Sequence, residues 1–415
     1  MTSSQTRFAV AVVTFNRPVS LRRVLESLRL ADYGDAAIDL IISVDFSGNE
    51  DCHNIATSFE WEFGNKIIVK QRTRLGLRNH IVAVGEHLHH YDAIAILEDD
   101  IYVSPAFFDF MKESVVCYES DERIAGISLY SPHWSESRSR AFTPMVGKYD
   151  VYLMKYAQSW GQIWMKKQWF QFMEWYYQQN DVEFSSPNLP SNISNWPATS
   201  WLKYHMKYCV DNDKYFVYPY NSYSTNFSDV GQHNDAISSR YQVPIVFGRK
   251  PSLHLPSPEH FNEVVRYDVF FERERLGGCL GISDDQLCVN LYGTKPRCMS
   301  ARYLLTTNIH PFKVVRSFGL LMRPHEMNVV CSVPGDTIHL YDTFSGAKSK
   351  QRVDVDIINW AYDIGTPDYP VIAKLLLRKL ASKINPTEFT ASLFHWCSKA
   401  IASKTSKSNF DKGHR

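Results

Sequence analysis

Short continuous apolar runs alternate with segments of helical periodicity in the amino-terminal part of the chain. Continuous runs of this length are typical of strands buried on both faces of a parallel sheet. Helices are predicted over 20–30, after Asp45, over 72–88 and over 105–118. This alternation predicts right-handed crossovers and an α/β fold with a mostly parallel sheet flanked by helices. The predicted strands are Phe8–Thr14, Asp39–Val44, Lys66–Lys70 and 93–97.

The pattern continues less regularly through the rest of the chain. The segment 185–197 is rich in Pro, Ser and Asn and predicts a surface loop. Strands are predicted over 124–130, 150–156 and 215–219, and helices over 166–177 and 200–210. Beyond residue 276, strand-like runs separated by turn signals predict a small β-rich module. These runs are 301–306, 328–333 and 337–341, with turns at Pro334-Gly335 and Ser345-Gly346.

Three consecutive acidic residues, Glu98, Asp99 and Asp100, directly follow the fourth predicted strand. Carboxylates this close repel one another, so we expect a cation to neutralise them. Their oxygen atoms suit a hard divalent cation, Mg²⁺ or Mn²⁺, which commonly also binds substrate phosphates. The segment therefore predicts a site for a metal and a diphosphate. The alternative is a strand that ends in a solvated acidic turn.

Polar residues also follow the other predicted parallel strands. The first strand is followed by Asn16 and Arg17, the second by Asp45, and the third by Arg72, Arg74 and Arg78. Because the carboxyl ends of parallel strands share one edge of the sheet, we expect these side chains to line a nucleotide pocket. Asp45 can accept a hydrogen bond from a base or a ribose, and guanidinium groups bind phosphates. Taken singly, each arginine is better explained as a solvated surface side chain.

The composition excludes several classes of protein. Lys and Arg number 45 against 44 Asp and Glu, so no overall charge favours nucleic acid binding. No apolar run is long enough to span a membrane, and the polar start lacks the regions of a secretory signal. The eight cysteines show no CxxC pair, which is typical of reduced thiols. We therefore expect a cytoplasmic protein.

Two later segments carry further candidate chemistry. In the first, Trp160-Gly161 precedes an aromatic-rich helix, and a glycine lets the backbone approach a ligand closely. A tight turn between packed indoles explains this step equally well. The second is the loop 221–233, which contains both Asp229 and His233. An imidazole is a suitable ligand for Mn²⁺, although a single loop histidine is usually just solvated.

Together these motifs resemble GT-A glycosyltransferases, in particular the bacterial family-2-like enzymes and the N-acetylglucosaminyltransferase I type. The resemblance extends over roughly residues 8 to 275, and its most specific part is the Glu-Asp-Asp strand with the following Phe-Phe helix. The matching segments are 12–18 (VVTFNRP), 42–45 (ISVD), 75–77 (LGL) with Asn79, 96–108 (ILEDDIYVSPAFF), 159–161 (SWG) and 231–233 (GQH).

The resemblance implies a role for each matching position. Asp100 would bind the metal, Mn²⁺ or Mg²⁺, together with His233. Asp99 would contact the ribose or the sugar, and Trp160 and Gly161 would contact the donor sugar and the acceptor. The implied residues for the donor nucleotide are Asp45 as the base-pocket acid, with Thr14, Asn16, Arg17, Arg72, Arg78, Glu98 and Asp99.

The implied reaction moves a sugar from a nucleoside diphosphate sugar, with a UDP-sugar favoured, to an acceptor hydroxyl. The metal would offset the charge on the leaving diphosphate, and a carboxylate would deprotonate the acceptor if the anomeric centre inverts. The N-acetylglucosaminyltransferase I type has acids between two tryptophans, whereas the segment between Trp196 and Trp201 has none. Candidates for the base are therefore Asp229, Asp211 and Glu174, with Asp229 preferred because it shares a loop with His233.

The sequence predicts three parts: a GT-A glycosyltransferase domain (1–275), a small β-rich accessory module (276–370) and a basic amphipathic helical tail (371–415). The tail carries nine Lys or Arg against Glu388 and Asp411. Such a helix can lie on an anionic membrane surface, which suits peripheral contact with the inner membrane and a lipid-linked acceptor. A helix packed against its own domain is an equal alternative.

The leading hypothesis is a metal-dependent glycosyltransferase of bacterial surface polysaccharide synthesis, with a glycan or lipid-linked glycan as acceptor. A sugar nucleotidyltransferase is the second hypothesis, but its Gly-rich phosphate loop should follow the first strand, where this chain has Phe15-Asn-Arg-Pro18. A non-catalytic carbohydrate-binding protein is the third, and it predicts that Asp100→Ala is tolerated.

Overall fold

A computed structural model describes residues 6–179, 186, 188–229, 239–248, 252–296, 300–346 and 362–363. The chain divides into two compact units, Met1–Val355 and Asp356–Arg415. His233 and the predicted tail 371–415 lie outside the described residues. In the part of the chain that is described, no helix is long and apolar enough to cross a membrane.

Strands and helices alternate up to residue 98, and the later part of the first unit also contains successive strands without a helix between them. The strands are β1 (Phe8–Thr14), β2 (Asp39–Val44), β3 (Lys66–Lys70), β4 (Ala93–Glu98), β5 (Ile101–Val103), β6 (Ile124–Ser128), β7 (Trp134–Ser135), β8 (Arg140–Ala141), β9 (Val151–Met154), β10 (Gln162–Met165), β11 (Tyr215–Pro219), β12 (Ser224–Asn226), β13 (Arg266–Tyr267), β14 (Leu287–Asn290), β15 (Tyr303–Thr306), β16 (Phe312–Phe318) and β17 (Ile338–Gly346). The α-helices are α1 (Pro18–Arg29), α2 (Asp51–Ser58), α3 (Gly76–Gly85), α4 (Phe107–Tyr118), α5 (Lys166–Gln178), α6 (Ser191–Ser194), α7 (Leu202–Asp211), α8 (Gly277–Leu280) and α9 (Met327–Val330). Short 3-10 helices span Glu86–His89, Pro258–Glu263 and Asp284–Gln286.

The central sheet of the described residues has nine strands in the order β13-β9-β11-β6-β10-β4-β1-β2-β3. The block β4-β1-β2-β3 is entirely parallel, as the alternation of strands and helices predicts. Antiparallel pairing enters where β10 lies between β4 and β6, and where β9 pairs with β11. The predicted α/β class with a mostly parallel sheet flanked by helices is therefore confirmed.

Two hydrophobic cores cover the two faces of this sheet. Successive residues of a strand point to opposite faces, so Val10 and Val12 lie in one core and Ala9 and Ala11 lie in the other. The first core takes apolar residues from α1, α2 and α4, and the second takes them from α3, α5 and α7. This burial on both faces leaves the edges of the sheet as the place where polar side chains can meet.

A separate four-stranded sheet, in the order β14-β15-β17-β16, lies in the described residues beyond 286. Its strands β15 and β17 confirm two of the three strand predictions made there. The third was wrong, because 328–333 contains the short helix α9 and a turn. An apolar run this short does not distinguish a strand from a buried helix. Whether this region is an accessory module with the boundaries 276–370 stays a prediction.

We expect Gly85→Ala to destabilise the protein by about 1–3 kcal/mol, because overpacking a dense core forces neighbours to shift. A Cβ at Gly85 would overlap the indole of Trp169, which is itself stacked on Trp164 with ring centroids 3.7 Å apart. Helix propensity alone would favour alanine in α3, so a loss of stability isolates the clash. Thermal unfolding of the full chain measures it.

Gly278→Ala is the matched control, because Gly278 is also helical but a Cβ there meets no atom within 4 Å. We expect its unfolding temperature to equal or exceed that of the wild type. Equal unfolding temperatures for the two variants would contradict the packing of Trp169 against α3.

Candidate active site

The parallel register of β1 and β4 places the acidic triplet beside the end of β1. Val13 lies opposite Glu98 in the ladder, so Thr14 lies next to Asp99. The hydroxyl of Thr14 donates to Asp99 Oδ2 over 2.7 Å, and the Phe15 amide donates to the same oxygen over 3.4 Å. Asp99 is 2% exposed. Two donors from the end of one strand therefore orient a carboxylate at the end of its neighbour.

Arg17 is the cation that faces the triplet. Its guanidinium forms an ion pair with Asp99, and its Nη1 lies 3.3 Å from Asp100 Oδ2. It precedes Pro18, the first residue of α1, and follows Asn16, whose φ of 51° turns the chain from β1 into the helix. Asn tolerates this left-handed conformation better than most residues. The loop between β1 and α1 thus positions the arginine over the carboxylates.

A two-stranded ribbon brings a distant loop to the same place. Strand β12 pairs with β5 directly after the triplet, with Asn226 opposite Ile101. The Phe227 amide donates to the Asp100 carbonyl over 2.9 Å. This pairing fixes the backbone of Asp100 and carries the chain onward to Asp229.

Asp229 is held by α1. Ser20 Oγ donates to its Oδ2 over 2.6 Å, and the guanidinium of Arg23 forms an ion pair with the same carboxylate. Burial alone would raise the pKa of Asp229, but the hydrogen bonds from Arg23 and Ser20 lower it. The carboxylate is thus already engaged by two donors.

The three neighbouring carboxyl groups have raised pKa values. Burial raises the pKa of Glu98 to about 8, and the charges of Asp100 and Asp99 add to this effect. Burial likewise raises the pKa of Asp99 to about 6, although Arg17 opposes the shift. The pKa of Asp100 is raised by burial against the same arginine. A divalent cation among these groups would reverse the effect and stabilise their ionised forms.

The residues present fit a divalent cation that is shared with a substrate. Asp100 Oδ1 is buried and has no hydrogen-bond partner among the described residues. Within the same part of the chain, no group of three His, Cys, Asp or Glu side chains is arranged to enclose a metal. Mg²⁺ is usually bound by only one or two carboxylates, with water and substrate phosphates as the remaining ligands. The predicted second ligand, His233, lies outside the described residues.

Asp45 at the end of β2 fixes the start of α3. Its carboxylate accepts from the amides of Phe46, Leu75 and Gly76 over 2.9, 2.8 and 3.0 Å. A carboxylate has about four lone-pair sites, so one remains for a ligand. His80 lies nearby on α3, buried, with its Nε2 2.6 Å from Ser43 Oγ, and burial lowers its pKa. This end of the sheet therefore carries the neutral imidazole of His80 and the carboxylate of Asp45, which three amide donors hold in place.

Strand β10 brings the Trp-Gly step to the triplet. Because β10 runs antiparallel to β4, with Gln162 opposite Ile96, its amino end lies at the carboxyl end of β4. Gly161 has a φ of 92°, and a Cβ there would lie 2.8 Å from Ser224 Oγ. Close packing against β12 thus explains why position 161 has a residue without a Cβ. The sequence does not predict β10, so this placement of Trp160 comes from the tertiary structure.

A cavity of about 800 Å³ connects these groups. Most of the predicted site residues line it. Arg72 is exposed and Arg78 is bound elsewhere, with its Nη1 donating to the Ala198 carbonyl over 3.0 Å, and neither lines the cavity. Asp211 pairs with Lys207 and also lies outside the lining. The predicted residues that do line it are Thr14, Asn16, Arg17, Asp45, Arg74, Glu98, Asp99, Asp100, Trp160 and Asp229.

Sequence reasoning missed several other lining residues. Aromatic side chains are the largest group among them, and one is acidic. An aromatic-rich composition was visible in the sequence, but nothing local assigned these residues to a common cavity. The missed lining residues include His80, Glu136, Tyr156, Gln158, Ser159, Trp196, Trp201 and Tyr241.

Comparisons with known proteins give weak likenesses. No protein-family model and no curated protein matches the chain. The S. aureus TarS 1–349 structure in complex with UDP-GlcNAc is 14% identical, with a TM-score of 0.36, covering 55% of this chain and 60% of that chain. The mannosyltransferase PcManGT from Pyrobaculum calidifontis, in complex with GDP-Man and Mn²⁺, is 15% identical, with a TM-score of 0.29 and coverages of 44% and 50%.

The structure of GalNAc-T7 with UDP, GalNAc and Mn²⁺ is 11% identical, with a TM-score of 0.37, and the match covers 52% of this chain and 43% of that chain. The chain therefore spans less than two thirds of the length of each of these three structures. Likenesses this low do not indicate the function, which has to follow from the geometry of the site.

In the metal-free protein, we expect Glu98→Gln to raise the unfolding temperature at pH 8–9 and to leave it unchanged near pH 4. The pKa of a glutamate carboxyl is usually near 4.5, but burial raises the pKa of Glu98 to about 8 in the fold. Between these values the unfolded chain ionises while the folded chain stays protonated, so stability falls as pH rises. The substitution removes this loss. Thermal unfolding with a chelator present measures it, and a stabilisation independent of pH would contradict the assignment.

Proposed function

We propose that the chain is a metal-dependent glycosyltransferase that moves a sugar from a nucleoside diphosphate sugar to a hydroxyl of a glycan, with a UDP-sugar as the favoured donor. One observation carries the proposal. The buried carboxylates of Asp99 and Asp100, with one oxygen lacking a partner among the described residues, face Arg17 in a cavity of about 800 Å³. This arrangement suits a diphosphate bound through a shared divalent cation.

The order of the strands supports an orientation for the donor. Along the carboxyl edge, β2, β1, β4 and β10 are consecutive neighbours. They present Asp45, then Arg17, then the acidic triplet, then Trp160. We infer that the nucleoside lies toward Asp45, that the diphosphate lies at Arg17 and Asp100, and that the sugar lies toward Trp160.

Several residues of this chain would have separate roles in the reaction. Asp100, with its free Oδ1, would hold the metal, and Thr14 would keep Asp99 oriented toward the sugar or ribose. Once a cation neutralises the carboxylates, the guanidinium of Arg17 would also bind the diphosphate. When bound, the divalent cation would supply Lewis-acid stabilisation of the departing diphosphate.

The aromatic wall supports a carbohydrate acceptor. Trp160, Trp196, Trp201, Tyr156 and Tyr241 all line the cavity. Aromatic faces provide apolar contact area, and the hydroxyl of Tyr and the N–H of Trp add polar contacts that orient a ligand. We place the reaction in bacterial surface polysaccharide synthesis, with an inverting outcome and with 371–415 as a peripheral membrane contact. These finer assignments are part of the proposal.

We expect Asp100→Ala to weaken Mn²⁺-dependent binding of UDP by roughly 10–100-fold, or about 1.4–2.8 kcal/mol, because it removes a carboxylate ligand of the metal. Calorimetry of the full chain with UDP, with Mn²⁺ and with the metal chelated, measures it. Asp35→Ala is the matched control, because Asp35 is exposed in a loop outside the cavity lining.

Wild-type affinity for UDP that is the same with Mn²⁺ and with chelator would refute the metal site. Tight metal-dependent binding without release of UDP from any sugar nucleotide would instead favour a non-catalytic binding protein. Pyrophosphate formation from a nucleoside triphosphate and a sugar phosphate would favour the nucleotidyltransferase.

A further inference from the structure

Glu136 is an acidic side chain of the cavity that the donor site does not use. It follows β7 in the turn of a short hairpin, in which Ser135 pairs with Arg140 of β8, and it lines the same cavity as the acidic triplet. Among the described residues no side chain or backbone group hydrogen-bonds or ion-pairs with its carboxylate. Burial raises the pKa of Glu136 to about 7.

The surroundings of Glu136 connect it to the proposed sugar end of the cavity. It lines the cavity together with Tyr156, Trp160 and Tyr241, and after burial its charge is a further cause of the raised pKa of Tyr130, Tyr156 and Tyr241. The ring of Trp160 lies 4.9 Å from that of Tyr130 and 4.8 Å from that of Tyr241. Glu136 therefore belongs to the aromatic wall that contains Trp160.

Each of the other carboxylates of the cavity has at least one partner in the structure, and the remaining Oδ1 of Asp100 is assigned to the proposed metal. Asp45 accepts from three amides, Asp99 and Asp100 pair with Arg17, and Glu98 is hydrogen-bonded by Ser159. Asp229 is held by Ser20 and Arg23.

An acceptor hydroxyl needs a carboxylate with a free oxygen and a pKa near the working pH. The ion pair of Asp229 with Arg23 works against both requirements, since it occupies the carboxylate and lowers its pKa. Glu136 meets both requirements, and it does so without breaking any contact among the described residues.

We propose that Glu136 is the catalytic base that deprotonates the acceptor hydroxyl, an inference that rests on the proposed glycosyltransferase function. The Glu136 carboxylate takes the hydroxyl proton while the acceptor oxygen forms a bond to the anomeric carbon. The bond from that carbon to the diphosphate oxygen breaks, and its electron pair leaves with the nucleoside diphosphate. Protonated Glu136 then returns its proton to water. This single displacement inverts the anomeric centre.

On the aromatic wall, burial raises the pKa of Glu136 to about 7, whereas a bound Mn²⁺ would hold Glu98, Asp99 and Asp100 ionised. Burial raises the pKa of Tyr130, Tyr156 and Tyr241, so the phenols stay neutral. The guanidinium of Arg240 lies over the ring of Trp134, 5.0 Å from its centroid, and is a charged group beside this hairpin. We therefore expect the rate to rise with pH through about 7, as Glu136 ionises, and this limb to vanish in Glu136→Gln.

The test uses the full chain, Mn²⁺ and the sugar nucleotide that the wild type hydrolyses fastest among UDP, GDP, CDP and dTDP sugars. A general base contributes about 10²–10⁴-fold, so we expect Glu136→Gln to lose that factor in nucleotide release. Its affinity for UDP and Mn²⁺ should stay at the wild-type value, and its unfolding temperature should equal or exceed that of the wild type, because the substitution removes a buried carboxyl whose pKa is raised. Glu60→Gln, at an exposed position outside the cavity, should keep the wild-type rate.

Glu136→Ala provides a second measurement, because added formate should restore part of its rate when the missing group is a base. A Glu136→Gln variant with the wild-type rate would overturn the proposal, as would a Glu136→Ala variant that formate does not rescue. Loss of activity in Asp229→Asn with an active Glu136→Gln would transfer the role to Asp229. A wild-type chain that neither binds UDP with Mn²⁺ nor hydrolyses any donor would overturn the proposed function itself.

Discussion

The burial of three neighbouring carboxyl groups opposite one arginine is the constraint on which the candidate site depends. Asp99 and Asp100 are 2% and 6% exposed, and Arg17 pairs with both. Burial raises the pKa of each carboxyl group even though Arg17 is present. One arginine therefore does not fully offset the negative charge of the three carboxylates. A divalent cation with its diphosphate would complete the compensation. The free-energy cost of burying these carboxyl groups and the proposed affinity for a metal-bound nucleotide therefore have the same cause, which is negative charge that Arg17 alone does not offset.

The region after residue 276 supports the other side of the cavity. Arg140 in β8 has its Nη2 3.1 Å from His325 Nε2, and its guanidinium lies over the ring of Tyr292. Glu272 accepts from the Tyr292 amide over 2.7 Å, and Tyr267 donates to Glu326. Arg140 thus connects the hairpin that carries Glu136 to the later segment, and Tyr267 and Glu272 bind the same segment. The loops that contain Tyr292 and His325 consequently have a structural role next to the aromatic wall.

The sequence by itself determined the parallel half of the sheet and the carboxyl-edge residues. Strands β1, β2, β3 and β11 span the predicted residues without change, because an apolar run of that length is a local signal. Once these strands alternate with helices, their carboxyl ends must share one edge. That argument alone brings together Thr14, Arg17, Asp45, Asp99 and Asp100, all of which line the cavity.

Only the tertiary structure decided which groups complete the site. Strand β10 has four residues, too few for a recognisable period, yet its antiparallel insertion places Trp160 beside the triplet. Asp229 meets Arg23 across 206 positions of sequence, and Glu136 enters the cavity from a two-residue strand that no periodicity predicts. Hydrophobic periodicity indicates the secondary structure of a single segment and which of its faces is buried. Charge pairing, cavity walls and the freedom of a carboxylate depend on segments that meet only after folding.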